Sequence, residues 1–216
     1  MPSITIGTDT YTADMAIFKE ATGDQYAFYK YIGSGYISDT LPAGYTAIPY
    51  VISDLNSYFM TDYVGKLDSW FKTKVEYTQF KGSGKDNIFS DRSTNGSGLK
   101  LNSTAAVGYN KGQSFSSAQS FSINTVYEIQ AYKNNDLKIN DLTITAASGN
   151  KTNTNVFSVG ESNTAIVGHI YYLQIWEGEA LVRNFLPCIN DQNVVGFYET
   201  VTGTFYQSAG TAYTAP

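Results

Sequence analysis

Charge is scarce in this chain, and so are the side chains that most chemistry needs. Only 15% of the 216 residues are Asp, Glu, Lys or Arg, and there is one His, one Cys and two Trp. The single Cys excludes an internal disulfide. The 14 Lys and Arg are scattered and outnumbered by 19 Asp and Glu, for a net charge of −5. A phosphate-backbone binder needs clustered cations, so nucleic acid is not an expected partner. No apolar run approaches the ~20 residues that span a bilayer, so membrane insertion is not expected either. The opening MPSITIGTDTYT has neither the positive nor the apolar region of a secretory signal. The expectation is a soluble chain made in a reducing compartment.

What is abundant points to strands. Tyr (18), Phe (12) and Gly (19) are in excess, and Thr, Ser and Asn fill the space that charge leaves. This is the composition of strands and turns, not of helices. The length suits one domain plus a short appendage. Residues 1–40 read differently from the rest. SITIGTDTYT turns at Gly7 as a strand or small hairpin, and ADMAIFKEA (Ala13–Ala21) is the best helix candidate, at about two turns. QYAFYKYIGSGYI alternates Tyr26, Phe28 and Lys30 against Ala27, Tyr29 and Tyr31. So small a segment builds no core of its own. It is read as an attachment and oligomerisation segment, with Tyr26, Phe28, Tyr29 and Tyr31 as its contacts.

SDTLPAGYTAIP, with Pro42, Gly44 and Pro49, marks a boundary near residue 40. From 41 to 216 the signals are almost wholly β. Trp70–Phe80 alternates cleanly, and short strand signals then recur between Asn, Gly and Asp turns. That rhythm indicates a sandwich or barrel. HIYYLQIWE and ALVRNFLP read as a hairpin about GE, with Pro187 ending the ladder. VVGFYETVTGTFYQS is a second hairpin, with Gly203 in its turn.

Two stretches carry a family likeness. LPAGYTAIPYVISDLNSYFMTDY (41–63) resembles the opening of a concanavalin A-like, laminin-G-like module. GHIYYLQIWEGEALVRNFLPC and VVGFYETVTGTFYQSAGTAYTAP resemble that module's ending, so the likeness covers about residues 41–216. The family occurs mostly in gut bacteriophages, prophages and cell-surface proteins of gut bacteria. The resemblance implies an all-β, antiparallel jelly-roll sandwich, and a role in surface attachment or particle architecture more than in catalysis. The chain departs from the family at the first strand. There the usual Tyr-Ile-Glu-Ser-x-Gly-Thr-Gln-Tyr-Ile becomes YVISDLNSYFMTDY, so a ligand contact through that Gly or Gln is not carried over.

Jelly-roll glucanases carry Glu-x-Asp-x-(x)-Glu on one strand, so that two acids flank the scissile bond at about 5 Å. No such cluster is present, and Glu177 and Glu179 bracket Gly178 at a turn, where water should solvate both. His169 and Cys188 would need a thiolate to act together. Cys188 follows Leu186-Pro187 in a stretch running into the core, where a lone Cys is a small hydrophobe. Trp176 and Cys188 are therefore read as packing residues. Arg183, mid-strand, is read as an ion-pair partner of Glu177 or Glu199 across the sheet.

The loops at 90–98 and 148–155 are oxygen-rich but lack the dense Asp spacing of a calcium site. No cofactor is expected, and Asp91 and Asn163 are the residues a Ca²⁺ would draw on. Sugar binding needs aromatic platforms with a few planar polar groups, on a concave sheet or at loop tips. Tyr58, Tyr63, Tyr109 and Tyr132 are the candidates, with Tyr127 and Tyr171 beside them.

The functional expectation is a non-enzymatic bacteriophage virion protein, a capsid decoration or head fibre at the virion surface, assembled in the host cytoplasm. It would bind other virion proteins through residues 1–40 and form a homo-oligomer such as a trimer. The alternative is a carbohydrate-binding receptor-recognition module, tail-associated or cell-surface, with a host glycan as its ligand.

Overall fold

The computed structural model describes residues 41–82, 85–90, 98–110, 113–145, 156–160 and 162–216, of which 109, 110 and 156 are described as backbone. It also gives the backbone of five short strands before residue 39. Every named strand pair is antiparallel, and the described residues contain no helix.

β1 (Ser3–Ile6) and β2 (Asp9–Thr12) form a hairpin. β3 (Met15–Lys19), β4 (Tyr26–Tyr31) and β5 (Tyr36–Ser38) form a separate three-stranded sheet. The helix expected over 13–21 is therefore replaced by a strand, with Met15–Lys19 paired residue for residue to Tyr26–Lys30. A two-turn helix closes too few hydrogen bonds to offset its nucleation. The aromatic run nearby offers Ile17 and Phe18, both good strand residues, a complete ladder. The expected contacts Tyr26, Phe28, Tyr29 and Tyr31 lie on β4, and their side chains are outside the described residues.

The remaining strands build two larger sheets. In chain order they are β6 (Tyr45–Ala47), β7 (Val51–Ser53), β8 (Phe59–Val64), β9 (Ser69–Gln79), β10 (Asn87–Ser90), β11 (Gly98–Leu101), β12 (Ala106–Asn110) and β13 (Gln113–Ser117). There follow β14 (Val126–Lys133), β15 (Asp136–Ile139), β16 (Leu142–Thr145), β17 (Val156–Val159), β18 (Val167–Glu177), β19 (Ala180–Asn190), β20 (Val195–Glu199) and β21 (Thr204–Gln207). The larger sheet has ten strands, ordered β16-β15-β14-β9-β18-β19-β20-β21, with β7 beside β18 and β6 beside β19. The smaller has six, ordered β13-β12-β11-β10-β17-β8.

Alternation decides which side of each strand is covered. Along β9, Phe71, Val75 and Tyr77 are buried while Lys72, Lys74 and Glu76 are half-buried on the other side. The inward rings of the two sheets interlock. Phe71 stacks on Phe157 of the smaller sheet with centroids 4.8 Å apart, and Phe59 of β8 meets Phe185 and Phe197 at 5.5 and 5.4 Å. Hydrogen bonds also cross the core: Tyr132 Oη donates to the Gly98 carbonyl at 2.5 Å, and Tyr77 Oη to the Asp86 carbonyl at 2.9 Å. The result is a β-sandwich with an aromatic interior.

Pro187 does not end the ladder. β19 continues to Asn190, and Pro187 sits opposite Phe197 of β20. The Pro187 carbonyl accepts from Ile48 N at 3.2 Å, on the side away from β20. A residue's N–H and C=O face the same neighbour in an antiparallel strand. The missing N–H is thus on the β6 side, and Leu186 and Cys188 carry the ladder to β20.

Candidate ligand-binding face

The outer face of the larger sheet is where aromatic and charged side chains gather. Its centre is an irregularity in β18. Ile170 is opposite Val75 and Tyr172 is opposite Lys74, so Tyr171 is an extra residue with no partner of its own on β9. Ile170 and Leu173 both point into the core, and the two tyrosines between them both emerge on the outside, half-buried. Re-aiming a side chain in this way is what a β-bulge does.

Each of these tyrosines holds a carboxylate. Tyr171 Oη donates to Glu76 Oε2 at 2.9 Å, and His169 Nδ1 lies 3.1 Å from the same oxygen. Tyr172 Oη donates to Glu128 Oε1 at 3.2 Å, and Lys72 Nζ lies 2.9 Å from that oxygen. Tyr50 stacks on the His169 ring at 4.3 Å and meets the edge of Tyr171 at 5.2 Å, while Lys74 Nζ lies 5.0 Å from the Tyr171 ring centre. Gly168 permits this close arrangement, because a Cβ there would collide with the Glu76 carbonyl oxygen.

The electrostatics follow from the partners. Burial pushes the Glu76 carboxyl up, but the hydrogen bonds from His169 and Tyr171 outweigh it and hold the group below the usual carboxylate range. Lys72, by hydrogen bond and charge, holds Glu128 down likewise. Burial, then the bond to Glu76, pushes the Tyr171 hydroxyl up to about 12. Burial and the Glu128 charge raise Tyr172 as well. At neutral pH the face therefore presents two ionised carboxylates and two protonated phenols.

Open depressions flank the cluster. One, of about 500 Å³, is lined by Leu41, Tyr45, Ile48, Tyr171, Leu186 and Pro187. The other, of about 350 Å³, is lined by Lys72, Glu128, Gln130, Lys138, Asn140 and Asp141. The apolar hollow reaches Tyr171 and the polar one reaches Glu128, the partner of Tyr172, and small-ligand sites combine the same mixture.

Of the tyrosines proposed as sugar platforms, Tyr63 and Tyr132 are core residues, 5% and 2% exposed. Tyr63 lies on the inward side of β8, where its hydroxyl meets Ser69 and Glu177. Tyr132 occupies a bulge in β14 at φ 76°, which turns it inward directly after buried Ala131. Tyr127 is also buried. Tyr58 is half-buried and lies beside the 208–209 segment. The side chain of Tyr109 and the whole of Asp91 lie outside the described residues. Asn163 is a turn residue at φ 63°, with its backbone N–H donating to Asn56 Oδ1 and its amide to Ser162. Among the described residues no three His, Cys, Asp or Glu side chains converge as a metal cluster.

The hairpin that collects the rare residues divides between core and rim. Trp176 stacks on Trp70, with centroids 5.0 Å apart and planes 11° from parallel. Cys188 is fully buried and burial pushes its thiol up to about 11, so it carries no thiolate at neutral pH. His169 faces Glu76 and Tyr50 instead of Cys188. Arg183 takes two acidic partners: Asp62 at 3.3 Å and, as the second of its expected choices, Glu199 at 3.9 Å. Glu177, expected in solvent, is largely covered and paired with Lys66 at 2.7 Å. Its turn neighbour Glu179 is exposed, with Lys133 at 3.1 Å.

Glu76, Glu128, Tyr50 and Tyr172 escaped sequence reasoning. The signal was present in the Tyr171-Tyr172 doublet between Ile170 and Leu173, where two consecutive polar-edged aromatics break the alternation and mark a bulge. Comparisons of this chain with protein-family models, with curated proteins and with solved structures return no match.

Proposed function

We propose that this chain is a non-enzymatic bacteriophage virion protein, a capsid-surface decoration or head fibre that displays its β-sandwich, read as a concanavalin A-like jelly roll. Residues 1–40 anchor it as a homo-oligomer on other virion proteins. The reading rests on the likeness over 41–216 and on one structural observation. In the backbone ladders of the described residues, β1–β5 pair with one another and with none of β6–β21, in two sheets too small to bury a core of their own. Such strands need a surface to lie on. Deletion of residues 1–40 is expected to abolish co-sedimentation of the protein with particles, and retained incorporation would contradict the reading.

The outer face favours a second, compatible reading, a carbohydrate-binding module. Half-buried aromatics beside fixed planar carboxylates are what sugar recognition uses. Binding suits this face better than cleavage. Glu76 faces Val126 and Glu128 faces Lys74 across the same strand pair, so the two acids are diagonal neighbours, about 7–8 Å apart at the backbone. Two acids on one face are also what an inverting glycosidase uses. Such an enzyme, however, needs one acid held protonated to serve the leaving group, and here partners favour the ionised form of both. The pair is built to accept hydrogen bonds. Retention of the full chain on immobilised polysaccharides without release of reducing sugar is the expected result, and release of reducing sugar would contradict the non-enzymatic assignment.

A further inference from the structure

Resting on the carbohydrate-binding reading, we infer that the ligand of the outer face is an uncharged oligosaccharide lying across the strands from β15 to β19. Three observations carry this. First, the face is locally neutral in a chain of net charge −5. Lys72, Lys74, Lys133 and Lys138 are matched in number by Glu76, Glu128, Asp136 and Asp141, all on these strands and the turn that follows β15. A face with no surplus of either sign complements a ligand with none.

Second, both carboxylates are fixed and half-used. Glu76 is anchored through Oε2 and Glu128 through Oε1, each by one tyrosine and one basic side chain. Among the described residues neither Glu76 Oε1 nor Glu128 Oε2 receives a hydrogen bond. An ionised carboxylate only accepts, so whatever meets these oxygens must donate, as sugar hydroxyls do. An acidic sugar would bring a like charge to the same spot.

Third, the flanking hollows differ in kind. The apolar one under Tyr171, Tyr45 and Leu186 suits the hydrogen-clad face of a pyranose ring. The polar one, with Gln130, Lys138 and Asn140, offers further hydroxyl partners. Five neighbouring strands at ~4.8 Å spacing make a track of about 19 Å, the length of several sugar units.

The test applies the full chain to immobilised dextran, galactomannan, xylan and β-glucan, and in parallel to alginate and heparin, at low and high salt. At least one neutral polymer is expected to retain the protein, with little change on adding salt, because screening acts on charged ligands. Glu76→Gln and Glu128→Gln are each expected to weaken retention about tenfold or more, as for loss of a hydrogen bond to a charged group. Tyr171→Phe and Tyr172→Phe, which remove only the orienting hydroxyls, should weaken it several-fold with the thermal midpoint preserved. Neutral binding that all four variants leave unchanged overturns this assignment but leaves the broader reading standing. So does salt-sensitive preference for alginate or heparin. Retention on none of the six polymers overturns both.

Discussion

Glu199 and Glu128 belong to the same ten-stranded sheet and face opposite ways. Glu199 follows inward Phe197 by two residues and is fully buried. Its Oε1 accepts from Asn184 N and Val201 N, its Oε2 from Thr202 N and Oγ1, and Arg183 lies 3.9 Å away. Both oxygens are committed to holding the β20–β21 turn against β19. Glu128, on the outer face, is held by Tyr172 and Lys72 through one oxygen and keeps the other. The tyrosines divide in the same way. Tyr132 seals a carbonyl of the opposite sheet, whereas Tyr171 and Tyr172 position carboxylates at the surface. A saturated polar group marks structure, and a fixed but half-used one marks readiness for a ligand.

The contrast can be broken most forcefully from the inside. Glu199→Ala removes the acceptor of three backbone N–H groups and strips a mostly covered guanidinium of its nearer-to-core partner. A loss of about 3–5 kcal/mol in unfolding free energy is expected, read from the denaturant midpoint. A change below about 1 kcal/mol would mean that the buried carboxylate is not structural. Tyr132→Phe leaves the Gly98 carbonyl without its donor, at an expected ~1–3 kcal/mol. Gly108→Ala should cost a similar ~1–3 kcal/mol, since a Cβ there would sit 2.7 Å from the Tyr132 hydroxyl.

Outer-face changes should be felt far less in stability. Tyr172→Phe is expected to shift unfolding by at most about 1 kcal/mol, in the range of exposed polar contacts. A larger loss would place Glu128 among the structural groups. The smallest effect is in pH dependence. Glu76 and Glu128 are both depressed from an ordinary value of 4.5. Their contribution is present in full above that value and is lost as pH falls through the lower folded-state values. Glu76→Gln should therefore flatten the acid limb of the stability curve below about pH 4.5 and leave the neutral region unchanged. A steeper limb would mean the opposite sign.

Much of the sandwich was legible because period-two alternation is a strong signal wherever one face is covered. Trp70–Phe80 was read as a strand and β9 spans Ser69–Gln79, and both C-terminal hairpins fell where the turn residues placed them. The helix over 13–21 was misread because its Met, Ile and Phe fit a short helix as well as a strand, and a pairing partner decides between them. Pro187 was misread because a proline interrupts only the edge its nitrogen faces. The binding face was least legible. Bulges at Tyr132 and Tyr171 reverse the side on which a tyrosine emerges, and counting alternate residues carries that error into every later position. The partners Glu76 and Glu128 also come from strands distant in sequence.

The outer face can be tested with one resolved signal, because His169 is the sole histidine in the chain. It lies between Tyr50 and Glu76 within the proposed track. The decisive measurement is its imidazole C–H resonance in the full-length protein, followed by NMR during titration with a neutral polysaccharide that retains the protein. The expected result is a saturable shift of that resonance with the same midpoint as binding. An unmoved His169 signal at saturation would place the ligand elsewhere and contradict the assignment of this face.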